Sequence, residues 1–401
     1  MKTRVTIILT LIIITALSCK KDNHESVNRL RLVDYKRIDT KSIRQSNDMI
    51  NIFSLYSPRI QEIKAEIKYN IDIYRVTYKT KYKGKTITAS GLVSVPQTDD
   101  KLPVLSFQNF TNTLYSEAPS KSPDNIVYQS MTTIASMGYV VAIADYPGFG
   151  ISEYIDHPYM LKDETTPSVI DMLYAVEEII NEQKQHINNN LYLIGYSQGA
   201  WATINALQFL ETQTDHFNVK CTATGGGPYN LNIMLDYIMN NDEYSEPYYI
   251  ANMFNAYANN YNSSFNLNTI FRSPYNKKIP SLFDGYHTGD QINRDLSVKV
   301  KELFTKDFLE ISNKDEYIKE YLTKNSIESW NTSSLIKLYH GKDDTSIPQD
   351  MMFDAAQTLS EDNTANSSVA TITLDGESHN SAMLPMIIDA IIWFNNTKHN
   401  S

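Results

Sequence analysis

The stretch LIGYSQGAW, residues 193–201, places a serine between two glycines directly after an apolar run that reads as a strand. Gly195-Tyr196-Ser197-Gln198-Gly199 fits the pattern G-x-S-x-G, and QGAWATINALQFLET reads as the helix that follows. On such a strand–turn–helix the serine is held in a strained backbone geometry. Side chains two positions to either side would collide with strand and helix, so glycine is required at both. The helix also directs its N-terminal N–H groups toward negative charge developing beside Ser197. A serine hydroxyl is a weak nucleophile until a base takes its proton. Ser197 is therefore a candidate nucleophile only if the rest of the chain supplies a base, an acid and an oxyanion site.

Outward from this stretch, IDIYRVTYKTKYKGKTITASGLVSVP alternates polar and apolar residues around Lys83-Gly84, which predicts a β-hairpin. LPVLSFQNF and YVVAIADYPGFG read as buried strands with a helix between them near Ile126 to Met137. Thr166-Pro167 predicts a helix start, the hydroxyl as N-cap and proline at the first helical position. VKCTATGGGP, LIKLYHG and VATITLDG are further strand candidates, and SAMLPMIIDAIIWFNN reads as a closing helix. Strands alternating with helices predict an α/β fold: a mostly parallel, doubly wound sheet covered on both faces, with the hairpin as an antiparallel edge. Between Pro228 and about Trp330 the strand signals stop, and the stretch is helical in pattern and dense in Tyr, Phe and Asn. We read it as an inserted helical cap over the carboxyl ends of the strands.

Eight histidines are available, and two stand at strand ends: His340 in LYHGKDD, and His379 in TLDGESHNSAML. The acid is expected between serine and histidine in chain order, where HGKDDTSIP offers Asp343 and Asp344; Asp375 lies close before His379. An oxyanion site needs two pre-aimed backbone donors. One is expected from Gln198, the other from the loop after LPVLSFQ, at Asn109 or Phe110.

From about Tyr69 to Asn396 the chain resembles the α/β-hydrolase superfamily, and within it the secretory-lipase-like branch with bacterial lipoprotein members. The carriers are AIADYPGFG, LIGYSQGAW, TGGGPYNL, the stretch TKDFLEI to EYLTKNSIESW, LYHGKDDTSIP and DGESHNSA. The resemblance implies hydrolysis of carboxylic esters without a metal or organic cofactor. It makes Ser197 the nucleophile and His379 the base, since that fold keeps its base in the loop after the last strand. It makes Asp344 the acid, because HGKDDTSIP is similar to the H-G-x-x-D-x-x-V/I-P loop of many such enzymes, with His340 and Gly341 shaping the turn. Where relatives often carry His-Gly, this chain has Asn109-Phe110. The implied substrate is a small-molecule ester, of a lipid or an acylated carbohydrate. Tyr244, Tyr248, Tyr249, Phe254, Tyr257, Tyr261, Phe265 and Phe271 either line its pocket or pack the cap helices. Two other readings stay open: a serine peptidase or amidase of prolyl-oligopeptidase-like type, and a non-catalytic binding lipoprotein on the same fold.

A formal charge of −10 with no Lys/Arg-rich stripe argues against a nucleic-acid partner. Lys2 and Arg4 precede an apolar run from Val5 to Leu17 that ends at Ser18-Cys19, the composition of an export signal. TALSCKKDN resembles a bacterial lipoprotein signal, which makes Cys19 the lipidated residue, and the chain is expected to be exported and lipid-anchored to a bacterial membrane, on its periplasmic or its cell-surface face. With Cys19 acylated, Cys221 has no partner for an intramolecular disulfide; its strand-like surroundings predict a buried, inert thiol. The expected organisation is 1–18 signal, 19–60 tether and N-terminal segment, 61–228 core, 229–330 cap and 331–401 core.

Overall fold

The computed structural model describes residues 30–55, 57–261, 265–311, 316–361 and 369–399; the expected signal segment, 1–18, and Cys19 lie outside the described residues. Nine strands among these residues form one sheet: β1 (Leu32–Lys41), β2 (Ile71–Tyr82), β3 (Lys85–Pro96), β4 (Lys101–Gln108), β5 (Val140–Ala144), β6 (His186–Tyr196), β7 (Asn218–Gly225), β8 (Leu335–Gly341) and β9 (Val369–Leu374). Their order is β1-β2-β3-β5-β4-β6-β7-β8-β9. From β5 to β9 every pairing is parallel, whereas β1, β2 and β3 join by antiparallel pairs.

The apolar runs have a simple cause. In β6, Leu191 and Leu193 enter one core, while Tyr192, Ile194 and Tyr196 enter the other. β5 divides in the same way, Val140, Ala142 and Ala144 against Val141 and Ile143. A strand covered on both faces has no polar face to alternate with. The first core is covered by helices Lys162–Glu182 and Gln198–Gln213, the second by Ile126–Thr133 and Met383–His399. The β2–β3 hairpin turns through Lys83 at φ 47° and Gly84 at φ 70°. Two successive positive φ values give the primed turn whose twist matches the strands it joins.

The structure adds to one expectation and corrects another. Within 19–60, expected as tether and N-terminal segment, regular structure is present that no periodicity announced: Leu32–Lys41 pairs with β2, and Ser42 opens the helix Ile43–Ile52 with a capping box. β1 is an edge strand with register irregularities at Leu32/Asp34 and Arg37/Asp39. Each shift changes which side chains face inward, so the period-2 signal is lost. The helix expected to start at Thr166-Pro167 begins instead at Lys162 and carries Pro167 inside it. Its first N–H, on Lys162, donates to Asn325 Oδ1 at 3.0 Å. The cap is thus tertiary, from a residue far along the chain, which no local pattern reveals.

Between β7 and β8 the chain inserts helices running from Leu231–Asn240 and Pro247–Asn260 to Glu316–Asn325. Most of the aromatic density packs this insertion. Phe254 is fully buried, with ring centroids of Phe265, Phe271 and Phe308 at 6.2, 6.1 and 5.6 Å. No helix among the described residues is long and apolar enough to cross a membrane.

Strand order fixes where a site can form. The chain passes from β4 to β5 on one side, then crosses β4 to lay down β6 on the other. The crevice at the carboxyl ends of β4 and β6 is the switch point where open α/β sheets bind ligands. Asn109 follows β4 and Ser197 follows β6.

Candidate active site

Ser197 sits at φ 55°, ψ −121°, between the end of β6 and the helix Gln198–Gln213. A non-glycine residue at positive φ is costly, on the order of 1–3 kcal/mol, and persists only where its surroundings hold it. Here the Ser197 N–H donates to Gly225 O at 2.8 Å, which pins the turn to β7. The flanking glycines permit close approach. A Cβ on Gly195 would strike the carbonyl of Gly199, and one on Gly199 would strike the carbonyls of Gln108 and Asn109. Any side chain at 199 would therefore push the helix start away from the end of β4.

Ser197 and His379 are both 5% exposed. The Ser197 hydroxyl faces His379 Nε2 at 3.0 Å, and His379 Nδ1 faces Asp344 Oδ2 at 2.7 Å. The other carboxylate oxygen, Oδ1, accepts the N–H groups of Ser346 and Ile347, each at 2.9 Å. Burial opposes ionisation of Asp344, but hydrogen bonds from His340, His379 and the Ile347 N–H outweigh it and hold the carboxyl well below the usual carboxylate range. Asp344 is therefore an anion at neutral pH and an acceptor only, so His379 carries its proton on Nδ1 and turns a lone pair on Nε2 toward the serine.

The other candidates separate cleanly. Asp343 is exposed, and Asp375 pairs with Lys342 at 3.0 Å on the surface. Cys221 is buried, and burial pushes its thiol up to about 11. Asn109 is 3% exposed. The Phe110 ring turns away to stack on Tyr128, with centroids 6.3 Å apart. Among the insertion's aromatics, Tyr249 reaches His379, with ring centroids 6.2 Å apart, and Tyr248 packs on Tyr249 at 4.2 Å.

Several further contributors make contacts that local sequence pattern does not reveal. Fully buried His340 directs Nε2 to Ile347 O at 2.9 Å and to Asp344 Oδ2 at 3.3 Å, a second imidazole on the same carboxylate. The Tyr196 hydroxyl donates to His379 O at 2.5 Å, fixing the loop that carries the imidazole. The loop after β5 braces both expected oxyanion elements. The Tyr146 hydroxyl donates to Asn109 O at 2.9 Å, and the Gln198 side-chain amide donates to His157 Nε2 at 3.1 Å. The Tyr146 and His157 rings stack on one another, 6.1 Å apart and inclined by 19°. Burial lowers the His157 imidazole to about 4, so it is neutral at pH 7; Nδ1–H donates to Pro147 O and Nε2 is free to accept. The loop is itself anchored by buried Asp145, which accepts from the hydroxyls of Ser90 and Ser120 and from the Ser120 N–H.

Comparison with known proteins relates the sequence and fold of the chain to a wider group. The sequence model described as secretory lipase matches residues 125–400. A hydrolase from Legionella pneumophila, described as putative, aligns with a TM-score of 0.82 and 24% identity over 92% of this chain and 98% of its own. The rice cell wall degrading esterase LipA from Xanthomonas oryzae aligns at 0.75 and 20% identity, covering 91% and 97%. Candida antarctica lipase A in its closed state aligns at 0.64 and 15% identity, covering 91% and 82%. At these identities the likeness establishes the α/β-hydrolase fold. No curated protein matches by sequence.

Proposed function

The chain belongs to the secretory lipase family, and on that footing we propose a serine hydrolase of carboxylic esters that works through an acyl-enzyme on Ser197. Family membership supports ester hydrolysis in general. The observation that carries the finer reading is the unbroken hydrogen-bond chain from Ser197 through His379 to Asp344, at 3.0 and 2.7 Å.

In this mechanism Ser197 Oγ attacks the ester carbonyl carbon as its proton passes to His379 Nε2, and Asp344 stabilises the imidazolium. The carbonyl electron pair moves onto oxygen, which is held by the N–H of Gln198 and a second N–H from Asn109 or Phe110. When the carbonyl re-forms, the alkoxide leaves with the proton from His379. Water then attacks the acyl-enzyme by the same route and releases the carboxylic acid. In this reading 61–228 and 331–401 are the catalytic core and 229–330 the cap.

A fluorophosphonate probe and a substrate pair test it. Native protein is expected to take one probe at Ser197, located by peptide mapping, and to turn over p-nitrophenyl esters in preference to amino-acyl anilides. Anilide turnover without ester turnover would favour a peptidase instead. A native protein that takes no probe at all would make the chain a binding protein.

The family supports export. We further infer from TALSCKKDN that Cys19 becomes a lipid-bearing N-terminus facing away from the cytoplasm. Cys19→Ala is expected to move the protein out of the membrane fraction or to stall its maturation. Unchanged membrane association would reject the anchor.

A further inference from the structure

We propose that two tyrosines of the insertion, Tyr237 and Tyr244, are positioning residues for Asp344, which they hold through the peptide units that follow it. The inference rests on Asp344 as the acid of a serine hydrolase and adds two residues to that site. The Tyr237 hydroxyl donates to Thr345 O and the Tyr244 hydroxyl to Ser346 O, each at 3.1 Å. Tyr237 lies on the helix Leu231–Asn240, and Tyr244 follows that helix. Burial, with the Asp344 anion adding to it, raises the Tyr237 phenol above its ordinary value, and burial does the same for Tyr244. Both hydroxyls therefore keep their protons at neutral pH and act as donors.

The two carbonyls they reach have a particular place. A peptide unit is planar and trans, so its C=O and N–H are rigidly linked and point in opposite directions. Thr345 O shares a unit with the Ser346 N–H, and Ser346 O shares the next with the Ile347 N–H. Both of those N–H groups donate to Asp344 Oδ1 at 2.9 Å. Each unit is thus gripped at its carbonyl by a phenol from the insertion and presents its N–H to the carboxylate. Hydrogen bonds in series polarise one another, so a phenol on the carbonyl strengthens the N–H opposite. From β8, His340 Nε2–H takes the third carbonyl, Ile347 O, at 2.9 Å.

The consequence falls on the base. The Cβ–Cγ torsion of an aspartate is soft, so what holds Oδ1 also sets the direction of Oδ2. Oδ2 faces His379 Nδ1 at 2.7 Å, and such a group works only when kept within about half an ångström of its productive place. The helix that carries Tyr237 also lines the space beside Ser197, through Leu231, Met234 and Ile238. One element of the insertion therefore shapes the substrate's surroundings and holds the acid.

The test is Tyr237→Phe and Tyr244→Phe, singly and together, in the wild-type chain and in Asp344→Asn. Each change removes one hydroxyl and keeps the ring. In the wild-type chain each should lower kcat for p-nitrophenyl butyrate by about three- to tenfold, with KM within about twofold. In Asp344→Asn, where no carboxylate remains to aim, the same changes should cost less than about twofold. Tyr286→Phe, at an exposed tyrosine of the insertion, is the control and should match wild type. Tyr237 is only partly buried, so its variant remains decisive should that of buried Tyr244 fail to fold. Folded variants that keep full kcat overturn the proposal. So does a loss confined to KM, or one equally large in Asp344→Asn, the pattern of hydroxyls that only fasten the insertion to the core. A wild-type protein that neither turns over esters nor takes the fluorophosphonate overturns the hydrolase reading itself.

Discussion

Ser197→Ala is expected to lower kcat/KM for p-nitrophenyl acetate by about 10⁴- to 10⁶-fold, the loss typical of a missing nucleophile, while the protein stays folded. The two halves of that expectation have separate causes. Alanine retains the Cβ, so the backbone at φ 55° is neither relieved nor further strained, and the N–H bond to Gly225 O is kept. What disappears is one hydroxyl whose hydrogen bond is to His379 Nε2. A single such bond contributes about 1 kcal/mol net, a shift of a few degrees at most in the melting midpoint of a chain this long. Chemistry loses far more, because in the proposed mechanism the hydroxyl 3.0 Å from His379 Nε2 is the attacking group. Residual turnover would come from the oxyanion donors and from binding alone. Circular dichroism and turnover, measured on the same preparation, separate the two effects. A folded variant keeping a tenth or more of wild-type activity would place the nucleophile elsewhere.

How far this arrangement is legible in the sequence follows from the range of each interaction. The central strands declare themselves because both of their faces are buried, and G-x-S-x-G declares the turn because glycine is sterically required at 195 and 199. Asp344 and His379 stand just past the ends of β8 and β9, and parallel pairing from β6 to β9 brings those ends together beside Ser197. Local pattern and sheet topology therefore agree on where the three side chains meet. β1 was hidden because its bulges erase alternation, and the start of helix Lys162–Glu182 because Asn325 caps it from the insertion. The Tyr146–His157 brace was hidden for a related reason. Its residues lie in an irregular loop, and each acts through one long-range hydrogen bond, to Asn109 O or to Gln198 Nε2. Periodicity carries no information about such pairs. The same holds for His340, whose position in HGKDD suggested a role in the turn but not its contact with the Asp344 carboxylate.

That second contact sharpens the expectation for Asp344→Asn, a fall in kcat of about 10⁴-fold with little change in KM. Asparagine fits the space, and its carbonyl oxygen is required at the Oδ1 position, where the Ser346 and Ile347 N–H groups both donate. The amide NH₂ must then occupy the Oδ2 position, facing His379 Nδ1 and His340 Nε2. His340 Nε2–H still has Ile347 O to donate to, at 2.9 Å, so the amide adjusts to His379. His379 Nδ1 becomes an acceptor and its proton moves to Nε2, which then points an N–H at Ser197 and can no longer take the serine's proton. The wrong tautomer, rather than a lost shape, is the cause of the defect. Stability should change with pH in a defined direction. The folded carboxyl of Asp344 lies below its unfolded value of about 3.9. Its ionisation therefore stabilises the fold fully above that value, and the contribution fades as pH falls below it. The wild-type advantage over Asp344→Asn in melting temperature is expected to be constant near neutrality and to shrink below about pH 4. Asp343→Asn, at an exposed neighbour, serves as the control and should stay within about twofold of wild-type kcat. If the two variants lose activity equally, or if the Asp344→Asn loss lies in KM alone, Asp344 does not orient the base.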